Sequence, residues 1–127
     1  MITLFLDTNL LVLSFKKALP LFDELERLLP GAEVQVIDNV VTELQYLSSS
    51  SKGADARAAA LALTYLKQKH LKVVHSSLKE NADDSLVRLS VKGNYVGTMD
   101  KTLQNRLSQQ GVKIVTWYRY RQLIIKE

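Results

Sequence analysis

The stretch Ile2-Thr3-Leu4-Phe5-Leu6-Asp7-Thr8-Asn9 decides how the chain is to be read. Residues 2–6 are almost continuously apolar, the pattern of a strand buried on both faces of a parallel sheet. The run stops at an acid followed by two capping residues, and apolar residues resume over 10–15. This opening lacks a basic n-region and carries Asp7 in its middle, so a buried strand running into a helix is expected rather than a signal peptide.

The same alternation continues outward. Pro20 suits the first turn of a helix over 20–29, with Leu21, Leu25, Leu28 and Leu29 on one face, and Pro30-Gly31 stops it. Residues 33–37 (EVQVI) read as a strand. Asp38 is expected to cap a helix carrying Val40, Val41, Leu44 and Leu47. Residues 48–53 (SSSSKG) read as a mobile loop. An alanine-rich helix over 54–69 presents a stripe of Ala58, Leu61, Ala62 and Tyr65. Then follow a strand at 71–74, a helix over 81–92 with Leu86, Leu89 and Val91 apolar, and a short strand at 95–97. A helix over 100–110 is ended by Gly111, and a strand follows at 112–116. The tail 117–125 is expected to add a strand or dock on the core. Strands alternating with helices predict a mostly parallel sheet covered on both faces. No repeat or linker divides residues 1–127, so one domain is expected.

Composition narrows the chemistry. The chain has 46% hydrophobic and 24% charged residues, as soluble globular proteins do. No apolar run approaches the ~18 residues of a membrane span. The absence of cysteine excludes disulfides, zinc–thiolate sites and thiol nucleophiles, and suggests a cytoplasmic protein. A net charge of +4 favours polyanionic partners.

The carboxylates fall in a pattern. Asp7 follows the first strand, Asp38 the second with Glu43 on the helix behind it. Asp83 and Asp84 open the helix after the third strand, and Asp100 follows the fourth. In an open parallel sheet, sites form outside the carboxyl ends of the strands. Acids gathered there repel unless a cation joins them. A hard divalent ion such as Mg²⁺ takes oxygen ligands and can activate water against a phosphodiester. Each aspartate also has a plainer role as a helix cap or first-turn acid.

At this point the sequence resembles the PIN-domain ribonucleases. The matching pieces are LFLDTNLLV at 4–12, VVTELQYL at 40–47, NADDSLVRLS at 81–90 and GTMDKTLQNRL at 97–107. The resemblance implies an α/β/α sandwich that hydrolyses RNA with Mg²⁺ or Mn²⁺. It implies Asp7, Glu43, one of the Asp83-Asp84 pair and Asp100 as catalytic, metal-holding acids, with a slight lean to Asp83. Thr8, Asn9 and Thr98 are expected to orient carboxylates or water. Members similar to this chain include ribosomal RNA-processing nucleases and VapC-type toxins, so a ribosome-assembly or antitoxin partner and a homodimer are in view.

Single-stranded RNA is the expected substrate, with Lys52, Arg57, Lys101 and Arg106 as phosphate contacts. Lys16-Lys17 reads as a solvated helix end. Trp117 to Arg121 mixes aromatic and basic groups as a base-stacking surface does, but a terminal strand packed on the core is the stronger reading. A catalytically silent RNA- or protein-binding scaffold is the alternative function. A phospho-acceptor receiver fits poorly, since Asp-Thr-Asn stands where adjacent acids would be needed. No glycine-rich turn follows the first strand to support a dinucleotide enzyme.

Overall fold

The computed structural model describes residues 1–50, 52–77 and 79–126. Its elements run β1 (Thr3–Leu6), α1 (Thr8–Lys16), α2 (Leu21–Leu28), β2 (Glu33–Ile37), α3 (Asp38–Ser50), α4 (Ala54–Gln68), β3 (Lys72–Val74), α5 (Ala82–Leu89), β4 (Tyr95–Gly97), α6 (Lys101–Gln109), β5 (Lys113–Tyr118) and β6 (Gln122–Lys126). The six strands form one sheet in the order β3-β2-β1-β4-β5-β6. All pairs are parallel except β5–β6, so the tail adds an antiparallel edge strand.

Alternation along the strands feeds two cores. Leu4, Leu6, Val36, Val115 and Trp117 join the cluster that includes residues of α1 to α4. Phe5, Ile37, Val96 and Ile114 join the other, with Leu86 of α5 and Leu103 and Leu107 of α6. The result is the expected α/β/α sandwich. Among the described residues, no helix is long and apolar enough to cross a membrane.

Several local expectations are corrected. Ser48, Ser49 and Ser50 continue α3 instead of forming a mobile loop. Their hydroxyls donate back to the carbonyls of Gln45 and Tyr46, one turn earlier in the helix, so the serines bond within α3 instead of drawing the backbone out of it. Ser51, also within that expected loop, lies outside the described residues. The α4 stripe is rotated. Ala58, Ala59, Ala62 and Leu66 are buried, while Leu61 and Tyr65 face outward. Small residues let α4 approach α1 and α3, and this closeness decides which face turns in. Helix α5 ends at Leu89, leaving Val91 exposed. Asp38 stands in the first turn of α3, and its carboxylate accepts from the Ser76 amide (3.1 Å) with His75 Nδ1 at 3.5 Å. It braces the β3–α5 connection and also takes a hydrogen bond from the Asn39 amide at the start of its own helix.

The hairpin joining β5 to β6 has an unusual backbone. The Arg121 amide donates to the Tyr118 carbonyl (3.1 Å), and both central residues, Arg119 and Tyr120, have positive φ (53° and 54°). That is the φ signature of a type I′ turn, which favours Asn-Gly. Each such non-glycine residue costs on the order of 1 kcal/mol.

The junction of β1 and β4 is the tightest point near the sheet's centre. A Cβ on Gly97 would stand 2.8 Å from Leu10 Cδ2 and 3.1 Å from Leu6 Cδ2, both leucines being fully buried. Gly97→Ala is therefore expected to destabilise the protein by about 1–3 kcal/mol through overpacking. Urea denaturation checks this; a midpoint equal to wild type would show that the junction has slack.

Candidate metal centre at the carboxyl edge of the sheet

The order of strands reverses at β1, with β2 on one side and β4 on the other. A crevice opens outside such a switch point. Asp7 sits there, directly after β1, and is only 2% exposed. Its amide donates to the Gly97 carbonyl (2.9 Å), continuing the β1–β4 ladder. Its Oδ1 accepts from the Thr8 amide (2.8 Å), which caps α1. Its Oδ2 accepts from the Thr98 hydroxyl at the end of β4 (2.8 Å).

Thr98 is itself fixed. Its amide donates to the Val115 carbonyl (3.1 Å), and its carbonyl accepts from Gln104 Nε2 (2.9 Å). Asn9 Oδ1 accepts from the Met99 amide (3.0 Å). The Thr98 and Asn9 side chains thus join α1 to the β4–α6 connection. The Thr8 hydroxyl is buried and finds no hydrogen-bond partner among the described residues. It lies toward Glu43 and favours that group's charged form without the geometry of a formed bond.

Asp7, Glu43 and Asp83 line one cleft, together with Thr8, Asn9, Val12, Lys16 and Asp55. Glu43 reaches it from the middle of α3. Asp83 arrives on the first turn of α5, whose start is set by Asn81: the Asn81 side chain caps the helix by accepting from the Asp84 amide (2.8 Å). The helix is braced from below by Asn39, which donates to Ser85 Oγ (2.6 Å), while Ser85 donates to Glu80 (2.8 Å). Asp84 turns the other way and pairs with Arg106 of α6 at 2.9 Å. Asp100 caps α6, its Oδ1 accepting from Thr102 and Leu103 amides (2.9 and 3.2 Å), and its charge acts on Asp83.

The electrostatics are those of crowded acids. Burial pushes the Asp7 carboxyl up to about 6, against its bonds from Thr98 and Thr8, and the charges of Asp83 and Glu43 push the same way. Glu43 keeps exposed surface, yet it too is raised, first by the burial its carboxyl does undergo and then by Asp83; the Ala82 amide opposes this. Asp83 is raised by burial, then by Asp100 and Asp84, with Arg106 opposing. Uncompensated carboxylates beside an unpartnered buried hydroxyl, with no sulfur or imidazole lining the cleft, make a donor set that fits a hard, oxygen-binding cation. Among the described residues, no three acidic or imidazole side chains already close around a single point.

The expected phosphate contacts are more scattered. Lys52 and Arg57 are exposed at the α3–α4 turn, near Asp55 in the chain, and Lys101 is exposed at the start of α6. Arg106 is engaged by Asp84. The cation that lines the cleft is Lys16, held by Asp55 at 3.0 Å. It was read as a solvated helix end; its spacing from Asn9, Val12 and Leu13 on one face of α1 was the available signal. Trp117 is buried, its Nε1 donating to Ser14 Oγ (2.9 Å), so the core-packing reading holds for it. Tyr118 and Tyr120 are 44% and 50% exposed.

Comparison with curated protein sequences gave no match. Solved structures do match in fold. The PIN domain endonuclease Utp24 superposes with a TM-score of 0.81 at 22% identity, covering 98% of this chain and 90% of that one. VapBC2 from Rickettsia felis, bound to a DNA fragment from its promoter, gives a TM-score of 0.63 at 16% identity, covering 92% and 100%. A domain of a functionally unknown protein from Methanocaldococcus jannaschii gives 0.56 at 16%, covering 93% and 92%. Residues 4–121 match the family model described as PIN like domain, and the chain belongs to that family.

Proposed function

We propose that this protein is a divalent-metal-dependent endoribonuclease acting on single-stranded RNA. One observation carries the reading: a buried carboxylate, Asp7, at the switch point of the sheet, faces two further acids that raise its proton affinity. PIN domains are typically nucleases, and three of this chain's acids, Asp7, Glu43 and Asp83, line one cleft.

In this reading Asp7, Glu43, Asp83 and Asp100 hold Mg²⁺ or Mn²⁺. The ion supplies, when bound, the charge that lets crowded carboxylates ionise together and polarises the phosphodiester. The chain's own residues do the rest. Thr98 and the Thr8 amide fix both oxygens of Asp7, so its remaining lone pairs point in a set direction. The cap on α6 uses Asp100 Oδ1, while the Asp100 charge reaches the cleft through Asp83. Glu43 and Asp83 line the cleft where water would add to phosphorus, and a carboxylate there that is not holding the ion would take the water's proton as the P–O bond to the leaving ribose oxygen breaks and that oxygen picks up a proton from solvent. Lys16, on the cleft wall, meets the backbone phosphate, with Lys52, Arg57, Lys101 and Arg106 farther out along the strand.

A silent RNA- or protein-binding scaffold is the competing reading, favoured by the absence, among the described residues, of a closed acidic cage. Mn²⁺ separates them: a nuclease is stabilised by the ion and cuts with it, a scaffold does neither. Ribosomal RNA processing with an assembly partner and toxin action with an antitoxin are the two settings the nuclease reading offers. Mapping cuts in ribosomal RNA precursor and in tRNA decides between them.

Two outcomes test the site. With Mn²⁺, Asp7→Asn and Asp83→Asn are expected to lower cleavage of single-stranded RNA by about 100-fold or more. Asp84→Asn, which removes only the Arg106 pair, should stay within about fivefold. Equal losses at Asp83 and Asp84, measured as initial rates, would break the assignment. The second test is stability without metal. Asp7 binds its proton more tightly folded (about 6) than unfolded (3.8), so its contribution is most favourable at low pH and is lost as pH rises through about 4 to 6. In EDTA at pH 8, Asp7→Asn should therefore be more stable than wild type, by an amount on the order of 1–3 kcal/mol. The advantage should vanish below about pH 4, as followed by thermal melts across that range. A variant less stable than wild type at pH 8 would contradict the buried-charge account.

A further inference from the structure

The β5–β6 hairpin tip holds a group of residues that neither the core nor the acidic cleft uses. Tyr118 and Tyr120 expose about half their surface (44% and 50%). Each carries a cation on its face: Arg119 Cζ lies 5.1 Å from the centre of the Tyr118 ring, and Lys17 Nζ 5.1 Å from that of Tyr120. Tyr118, Arg119 and Arg121 also line a hollow with Arg27. The acid in that hollow, Glu24, is already engaged by Arg27 (2.9 and 3.0 Å) and by the Leu123 amide (2.9 Å). Exposed rings beside cationic side chains are what stacking of unpaired bases needs, and the cations meet the phosphates.

The backbone adds a second, independent observation. Arg119 and Tyr120 hold positive φ in a turn where Asn-Gly would be relaxed. A fold served by the hairpin's shape alone has no use for this strain; strain is retained where side chains are wanted at the turn.

The position points to the same partner. β5 is parallel to β4, so the tip rises at the carboxyl edge, where Asp7 and Thr98 lie. Trp117, just before the tip, donates its amide to Met99 Sδ (3.4 Å), and the Met99 amide donates to Asn9, which lines the acidic cleft. β5 is two strands from β1, about 10 Å, and the tip stands a further ~10 Å above Trp117. Roughly four stacked nucleotides bridge such a path.

We infer that Tyr118, Arg119, Tyr120 and Arg121 form a stacking platform that grips single-stranded RNA a few nucleotides from the acidic cleft. The inference rests on the nuclease reading for its substrate, but it is tested without catalysis. The probe is a labelled oligouridylate of about 12 nucleotides, long enough to cover cleft and tip. Its affinity is read by fluorescence anisotropy in EDTA.

The Tyr118→Ala/Tyr120→Ala variant is expected to bind about 10- to 100-fold more weakly, and Tyr118→Phe/Tyr120→Phe within about twofold of wild type, because the rings remain. Arg119→Asn/Tyr120→Gly installs the relaxed turn. It should melt a few degrees higher yet bind the oligonucleotide less tightly, which separates lost recognition from lost folding. Alanine or Asn-Gly variants that bind as wild type would overturn the inference, as would a wild type with no affinity for the strand. If the wild type grips RNA through the tip but cuts nothing with Mn²⁺, the nuclease reading falls and the platform stands. If it cuts and the tip variants bind and cut as well as wild type, the platform falls and the nuclease reading stands.

Discussion

The hydrogen bond from the Thr98 hydroxyl to Asp7 Oδ2 spans the crevice between β1 and β4, and the rest of the site is arranged around it. A carboxylate buried as deeply as Asp7 is expensive to ionise. Two donors, the Thr98 hydroxyl and the Thr8 amide, lower that cost without abolishing it, and the proton affinity stays high. The bond forms only if β4 lies close against β1, which Gly97 permits by presenting no Cβ to Leu10 and Leu6. It keeps its direction only if Thr98 cannot turn, and Gln104 from α6 secures the Thr98 carbonyl. Gln104 in turn accepts from Lys126 of the edge strand, so even the last strand bears on the first acid.

Much of this was legible in the sequence because parallel sheets write plainly. A strand buried on both faces is a short apolar run, and a residue at its carboxyl end is visible as the first polar one. Asp7 follows from that rule, as does the three-layer fold; Asp100 was visible as the acid soon after the fourth strand, and Thr98 only through the resemblance. Other features depended on packing that no run of residues displays. Asp83 and Asp84 are neighbours with similar helical faces, and what separates them is Arg106, distant in sequence, drawing Asp84 away. Ser48 to Ser50 look like a linker by composition, yet they continue α3, their hydroxyls bonding back to carbonyls of the preceding turn. The face α4 turns inward was misread because larger apolar side chains outranked alanines, when close helix approach favours the alanines.

The charges are divided between two places on one edge. Acids converge where the strand order reverses, and cations with exposed rings collect two strands away, at the hairpin. A modest net charge of +4 conceals this separation. A polyanion drawn to the basic side would meet repulsion from the acids unless a cation neutralised them.

Asp7 and Thr98 are 91 residues apart in the chain. β1 therefore meets its β4 partner only after the residues between them have been made, and long-range parallel pairing is slow. A chain still emerging during synthesis has its first acid but not the threonine that seats it. Loss of the segment beyond residue 97 would leave β4 as an open edge and take away the hydroxyl that seats Asp7 Oδ2. Assembly of the centre is thus a late event on the folding path, and an incomplete chain has no organised centre with which to act.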